Sequence, residues 1–435
     1  MANNKIRIAM ISVHGDPLAK MGSRESGGQN TYVHSLSKAL GKRKIYVDVF
    51  SRLDNKNKKR VIAYGRNVRV IRIPAGEKKY IPKNQLLSLL PEFISGILNF
   101  KFQDKVNYDL IHSNYFISGW VGLRLKNILT IPLTITFHSL GFIRFKTLNR
   151  FKEQSVDSTE VHTRLNIEKE ILTHADRIIA TSPQEKEDMV RYYKVQARKI
   201  EIIPCGVDLI RFHPVNQSLA RRRLSVSRQR KIILYVGRVE WRKGIGTLIV
   251  AFSRLIKGIK SLANIELWIV GGKFKDGERS DREEYNRLKK IAEEYGVDRK
   301  VKFLGSIRQE KLYIYYSAGN LCVIPSYYEP FGLVPLEAMA CETPVVASRI
   351  GGLQYTIHHR KNGLLVPPRK PTYLTQAMEK IILDKKLARK MVREGKRLVK
   401  HNFDWNIIAK QMSKFYNKVI KTHEKKIKNR YPFSF

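Results

Sequence analysis

The sequence predicts an α/β protein built from two doubly wound, parallel-sheet domains, and three observations support this. Strand-length apolar runs alternate with amphipathic helical segments from one end to the other. The alternation starts afresh at Lys231. At 435 residues the chain is longer than a single core usually organises.

In the first half, the strand signals are residues 6–13, 45–51, 68–73, 110–112, 133–138, 177–180 and 200–204. Between them lie amphipathic segments at 31–40, 164–175 and 183–193, with apolar residues at helical spacing. The apolar stretch 86–98 carries Lys83 on its amino side. It reads as a core helix, with a membrane-surface helix as the alternative. In the second half, strands at 232–236, 266–270, 301–304, 321–325 and 344–347 alternate with helices at 245–255 and 282–295. The stretch 206–229, with Pro214 and a basic run at 218–223, reads as the interdomain connection. The expected domains are therefore residues 1–208 and 209–403, with a C-terminal helix in 404–435 returning towards the first.

The net charge is +44, which attracts polyanions. The charges are spread through the chain rather than gathered in a tail, so they read first as solvated faces. There is no helix-turn-helix, zinc-finger or RNP-type signature, and specific nucleic-acid binding is not expected. Peripheral contact with an anionic membrane remains compatible with the charge. Cys205, Cys322 and Cys341 lack metal-ligand spacing and suggest a reduced, cytoplasmic compartment. The first strand lacks the shape of a signal peptide, and no apolar run approaches the roughly 20 residues that cross a bilayer.

The most specific motif is Glu329-Pro-Phe-Gly-Leu-Val-Pro-Leu-Glu337. It follows a strand, and Pro335 stands in the first turn of a strongly helix-forming stretch. A strand, a glycine loop and a helix start make an anion-receptive corner. Two carboxylates bracketing it can hold hydroxyl groups on either side of a bound phosphate, which suits a nucleotide sugar. The loop from His14 to Asn30, with Gly27 and Gly28 before a helix, offers a second such start. It is not the G-x-G-x-x-G pattern of dinucleotide enzymes. Arg238 and Lys243 follow the first strand of the second domain and can converge on one diphosphate. His138 closes the 133–138 strand, where ligands of α/β domains bind. His112 and His14 stand at comparable strand ends, without metal-like spacing.

Taken in this order, the motifs resemble the retaining nucleotide-sugar glycosyltransferases of the GT-B fold, over nearly the whole chain. Ile203-Pro-Cys-Gly-Val-Asp208, Gly351-Gly352 and Phe403-Asp-Trp405 also fit that family. The loop from His14 to Tyr32 is similar to the branch that holds sucrose-phosphate synthase and the inositol-phosphate glycosyltransferase of mycothiol synthesis.

The resemblance implies two domains facing across a cleft, with catalytic roles for His138, Arg238, Lys243 and Glu329. It implies donor contacts at Gly28, Ile307, Phe331, Gly332, Leu333, Val334 and Glu337, the last accepting ribose hydroxyls. It places a small phosphorylated acceptor at Asn30, Lys83, Tyr115, Ser139 and Arg164. Asn114 stands where many relatives carry a histidine. The implied reaction is same-face transfer of a hexose or N-acetylhexosamine from a UDP-sugar, with no cofactor and no obligatory metal. The alternative acceptor is a lipid or growing polysaccharide at the inner membrane face.

Overall fold

A computed structural model describes residues 5–19, 27–150, 158–259, 262, 264–272 and 279–430. Residues 20–26 of the predicted first loop lie outside this set. The chain divides into two compact units, Met1–Gly206 with Trp405–Phe435, and Val207–Asp404. The division falls two residues before the boundary expected from the sequence.

The first unit holds an eight-stranded sheet. In chain order the strands are β1 (Arg7–Ile11), β2 (Tyr46–Arg52), β3 (Val61–Gly65), β4 (Val68–Ile73), β5 (Leu110–Asn114), β6 (Leu133–Thr136), β7 (Arg177–Ala180) and β8 (Ile200–Ile202). Their spatial order is β3-β4-β2-β1-β5-β6-β7-β8, parallel except for the antiparallel edge strand β3. The helices are α1 (Gly28–Lys42), α2 (Leu90–Gln103), α3 (Phe116–Leu129), α4 (Gly141–Arg150), α5 (Ser158–His174) and α6 (Pro183–Tyr193). β1 and β5 are buried almost throughout, as parallel strands covered on both faces must be. Leu86, Leu90, Phe93, Ile94 and Ile97 belong to the unit's core, so the apolar stretch 86–98 is a core helix.

The second unit begins with α7 (Gln217–Arg223), followed by β9 (Lys231–Val236), α8 (Ile245–Gly258), β10 (Ile265–Val270), α9 (Arg279–Glu294) and β11 (Val301–Gly305). Then come α10 (Gln309–Ala318), β12 (Leu321–Ile324), α11 (Leu333–Ala340), β13 (Val345–Ser348), α12 (Leu353–Thr356), β14 (Leu364–Val366), α13 (Pro371–Leu383) and α14 (Lys385–Asn402). The six strands are parallel, in the order β11-β10-β9-β12-β13-β14. Both sheets reverse strand order beside a central strand, between β1 and β5 and between β9 and β12. Such switch points open crevices at the carboxyl ends of strands.

Two expectations need correction. The stretch 206–229 is no loose connection: Val207 donates to the Phe403 carbonyl at 2.7 Å. The Arg221 guanidinium is buried and donates to the carbonyl of Ala318 and to Asn320. The strand before His138 stops at Thr136, and His138 takes a left-handed backbone at φ 60°.

The last helix, α15 (Trp405–Arg430), belongs to the first unit. Ile408, Ala409, Met412, Phe415, Tyr416 and Val419 form its buried stripe. Trp405 packs edge-on against Tyr32 of α1, centroids 5.7 Å apart. A Cβ at Gly206 would lie 2.7 Å from the Trp405 ring, so the close approach requires glycine there. No helix among the described residues is long and apolar enough to cross a membrane.

Candidate functional site

In the second unit, the loop after β9 holds Arg238 and Lys243, and the loop after β12 with the start of α11 holds Glu329 and most of the predicted donor residues. Gly332, with φ 88°, turns the chain into α11. Phe331 is buried, with its ring 6.2 Å from that of Phe403. Leu333 and Val334 start the helix half-buried, and their amides belong to the first turn, which has no intrahelical acceptor. Ile307 is half-buried in the loop between β11 and α10.

The fold joins two predicted residues that are 86 positions apart. Lys243 Nζ lies 2.6 Å from Glu329 Oε2, both largely buried. Gly244 makes this possible: it has φ 69°, and a Cβ there would lie 2.1 Å from the Pro325 carbonyl oxygen. Arg238 is more exposed and pairs with Glu240 at 2.7 Å, while Arg242 Nε donates to the same carboxylate at 2.5 Å. Burial works against ionising Glu240, but Arg242, Arg238 and Lys243 outweigh it and hold the carboxyl at about 2. Three cations and two carboxylates leave this corner at +1.

Glu337 sits differently. It is buried on α11, and the Tyr316 hydroxyl donates to its Oε2 at 2.7 Å. Burial raises its carboxyl to about 7, and the Tyr316 hydrogen bond only partly offsets this.

In the first unit, four of the five predicted acceptor residues come together. Arg164, buried on α5, donates to the Tyr115 hydroxyl at 3.1 Å and to the Ser139 carbonyl at 2.6 Å. Lys83 Nζ lies 5.9 Å from the centre of the Tyr115 ring. Tyr115 opens α3 at φ 77°, a conformation that costs a bulky residue about 1–3 kcal/mol and clusters at functional sites. The fifth residue, Asn30, is buried in its own loop. Its amide donates to the Asp16 carbonyl at 2.9 Å and accepts from the Gly27 N–H at 3.1 Å. Gly28 is the first residue of α1.

His138 Nε2 lies 2.9 Å from Asn114 Oδ1, and its ring packs edge-on against Tyr32. Desolvation pushes its imidazole down to about 3, so it is neutral at pH 7. His112 is structural: Nδ1 meets the Tyr416 hydroxyl at 2.6 Å and Nε2 meets Thr136 Oγ1 at 2.9 Å. Among the described residues no group of three or more His, Cys, Asp and Glu could hold a metal ion.

A family model for glycosyl transferases group 1 matches residues 216–398, and one for glycosyltransferase family 4 matches residues 26–211. The D-inositol 3-phosphate glycosyltransferase of Corynebacterium jeikeium is 35% identical, over 95% of this chain and 97% of that protein. The Corynebacterium glutamicum enzyme of the same name is 33% identical over the same shares. The chain belongs to the group 1 glycosyltransferases. Among solved structures, sucrose-phosphate synthase from Thermosynechococcus elongatus superposes with TM-score 0.86 at 40% identity, covering 96% of this chain and all of that one. The fold is GT-B.

Three polar residues of this glycosyltransferase escaped the residue-by-residue reading. His14 was noted only as a strand-end histidine, yet its ring lies 4.9 Å from the Tyr115 ring. Burial lowers its pKa, and the charges of Lys83, His138 and Arg164 lower it further. Its Nδ1 is buried without a hydrogen-bond partner. Glu240 stands between Arg238 and Arg242, and that alternation of charge was the available signal. Glu168 is fully buried. It accepts from Arg164 Nε at 2.8 Å, from the Gly141 N–H at 2.9 Å and from the Tyr193 hydroxyl. Its spacing of four from Arg164 on one helix was the legible clue.

Glu168 therefore holds Arg164 in place and balances its charge. Glu168→Ala, which strands a buried guanidinium, should cost about 3–5 kcal/mol in denaturant unfolding. The apolar pair Arg164→Met/Glu168→Leu should lose much less. Equal losses would show that the ion pair is not what the site needs for stability.

Glu337 gives a pH signature. Its proton is lost near the ordinary carboxylate pKa when unfolded and near 7 when folded, so wild-type stability should fall as pH rises through that window. Measured against Glu337→Gln, the loss between pH 5 and 8 should be on the order of 3 kcal/mol. A difference that stays flat with pH would place the carboxyl at its ordinary pKa.

Proposed function

We propose that this glycosyltransferase moves a hexose or N-acetylhexosamine from a UDP-sugar to a hydroxyl of a small phosphorylated sugar or polyol, with retention at the anomeric carbon. The observation that carries the reading is the assembly of Lys83, Tyr115, Ser139 and Arg164 from four separate segments. Two cations with neutral hydroxyl donors match a phosphate dianion. Two of the similar proteins carry a phosphorylated compound in their names. His14, against Tyr115, joins this set.

On this reading Glu337 accepts the ribose hydroxyls, and first-turn amides from Phe331 to Val334 meet sugar and diphosphate. Gly28 lets the backbone at the start of α1 approach the diphosphate, and Ile307 meets the base. Arg238 and Lys243 neutralise the leaving diphosphate, and Glu329 faces hexose hydroxyls. The bond from the anomeric carbon to the diphosphate breaks, and the acceptor oxygen bonds to the same face. The acceptor proton passes to a donor phosphate oxygen, leaving the nucleoside diphosphate. Neutral His138 is no acid at pH 7 and acts as a hydrogen-bonding wall beside the sugar. Catalysis is then positioning and electrostatic stabilisation, without the carboxylate nucleophile of a double displacement. The protein's own cations carry the neutralisation, so no cofactor is assigned.

A second reading rests on α15. Lys410, Lys414, Lys418, Lys421 and Lys425 are exposed at helical spacing, away from the buried stripe, and the helix carries one acid, Glu424. This stripe suits an anionic lipid surface and, with it, a lipid acceptor. Flotation with phosphatidylglycerol vesicles should show salt-sensitive binding that a five-glutamine variant loses. No flotation at low salt removes this reading.

For the main reading, a product assay compares inositol phosphate, fructose 6-phosphate and their unphosphorylated forms with a panel of nucleotide sugars. Arg164→Gln should raise KM for the phosphorylated acceptor by roughly tenfold or more, with donor affinity unchanged. Glu337→Ala should abolish stabilisation by the nucleotide. Equal turnover of phosphorylated and unphosphorylated acceptors would overturn the acceptor assignment.

A further inference from the structure

Beside the edge strand β14 lies a recess of about 350 Å³ that belongs to neither cluster described above. Its walls divide by chemistry. Leu364, Leu365, Val366 and Pro367, with the exposed ring of Tyr373 from α13, make an apolar side. Arg349, His359, Arg360 and Lys380 line the polar side together with Gln376, and no carboxylate does.

Elsewhere several buried or loop cations of this chain sit on carboxylates: Arg72 on Asp16, Arg164 on Glu168, Lys243 on Glu329. Among the described residues, Arg349, Arg360 and Lys380 have no ion pair. The Leu365 N–H donates to His359 Nδ1 at 3.0 Å. The ring proton is therefore on Nε2, which is left as a donor. Burial and the charges of Arg349, Arg360 and Lys380 lower the His359 pKa, as expected when like charges face one space.

We propose that this recess binds the phosphate monoester of a small organic molecule, with the guanidinium groups, the ammonium and His359 Nε2–H on the phosphate and the apolar side against the organic part. The guanidinium forks suit phosphate oxygens. A phosphate supplies the negative charge that four convergent donors lack, and a wall of aliphatic and aromatic atoms favours an organic ester over the bare ion. Arg349 also opens the short segment that ends at Gly352, whose N–H donates to the Glu329 carbonyl at 3.1 Å. The recess thus adjoins backbone that fixes Glu329. The site does not depend on which acceptor the first unit takes.

The test follows the imidazole signal of His359 by NMR in the full chain, assigned through His359→Gln. Inorganic phosphate, glucose 6-phosphate and phosphatidylglycerol vesicles are titrated separately. Glucose 6-phosphate should shift the signal saturably and more tightly than inorganic phosphate. The side chains of Arg349, His359, Arg360 and Lys380 are exposed, so variants at these positions should fold. Arg349→Gln/Arg360→Gln/Lys380→Gln should weaken binding by roughly tenfold or more, while Arg164→Gln should leave it unchanged. A signal that no free phosphate moves, a response confined to vesicles, or an undiminished response in the triple variant would overturn the proposal.

Discussion

The pairing of cation with carboxylate sets the terms for both clusters. The chain has 82 Lys and Arg but only 38 Asp and Glu, so most positive charges must rely on water. Several at the two clusters have a carboxylate partner as well. Arg164 lies on a fully buried Glu168, Lys243 on Glu329, and Arg238 and Arg242 share Glu240. A guanidinium out of water is costly alone and tolerable when its partner has its own donors. Glu168 has them in Gly141 and Tyr193. The pairing also determines where each cation points, since a fork held at Nε leaves its terminal nitrogens aimed outward. Arg164 uses them on Tyr115 and Ser139.

The parallel strands were legible because burial on both faces turns them into continuous apolar runs, as in β9 and β12. Two strands were missed for physical reasons. The edge strand β3 is a five-residue apolar run with none of it fully buried, set directly between Lys58-Lys59-Arg60 and Arg66, where it reads as part of a basic loop, and β14 has three residues. In the candidate site, strand-end position and family motifs found the loops but not the helix residues that brace them. Glu168 and Tyr316 are ordinary helix residues until the fold sets them beside Arg164 and Glu337. Asn30, expected to meet the acceptor, also uses its amide to close its own loop. No local pattern distinguishes those uses. His138 illustrates the same limit, because its left-handed turn is set by what packs on it.

The two glutamates of the 329–337 motif show how environment divides one chemical group into two. Glu329 faces Lys243 and Ser326 at the loop. Glu337, eight positions on, has a phenol as its direct partner and lies out of water, so its proton is held to about 7. If Glu337 accepts ribose hydroxyls as proposed, binding must draw on the ionised form, because only that form offers acceptors alone. Nucleotide affinity then falls as pH drops below about 7, approaching tenfold per unit. Glu329 is instead held by the Lys243 ammonium. A diphosphate that draws Lys243 away would leave the Glu329 carboxylate seeking donors, and hexose hydroxyls are donors of the right kind. The same ion pair would then couple departure of the diphosphate to the grip on the sugar.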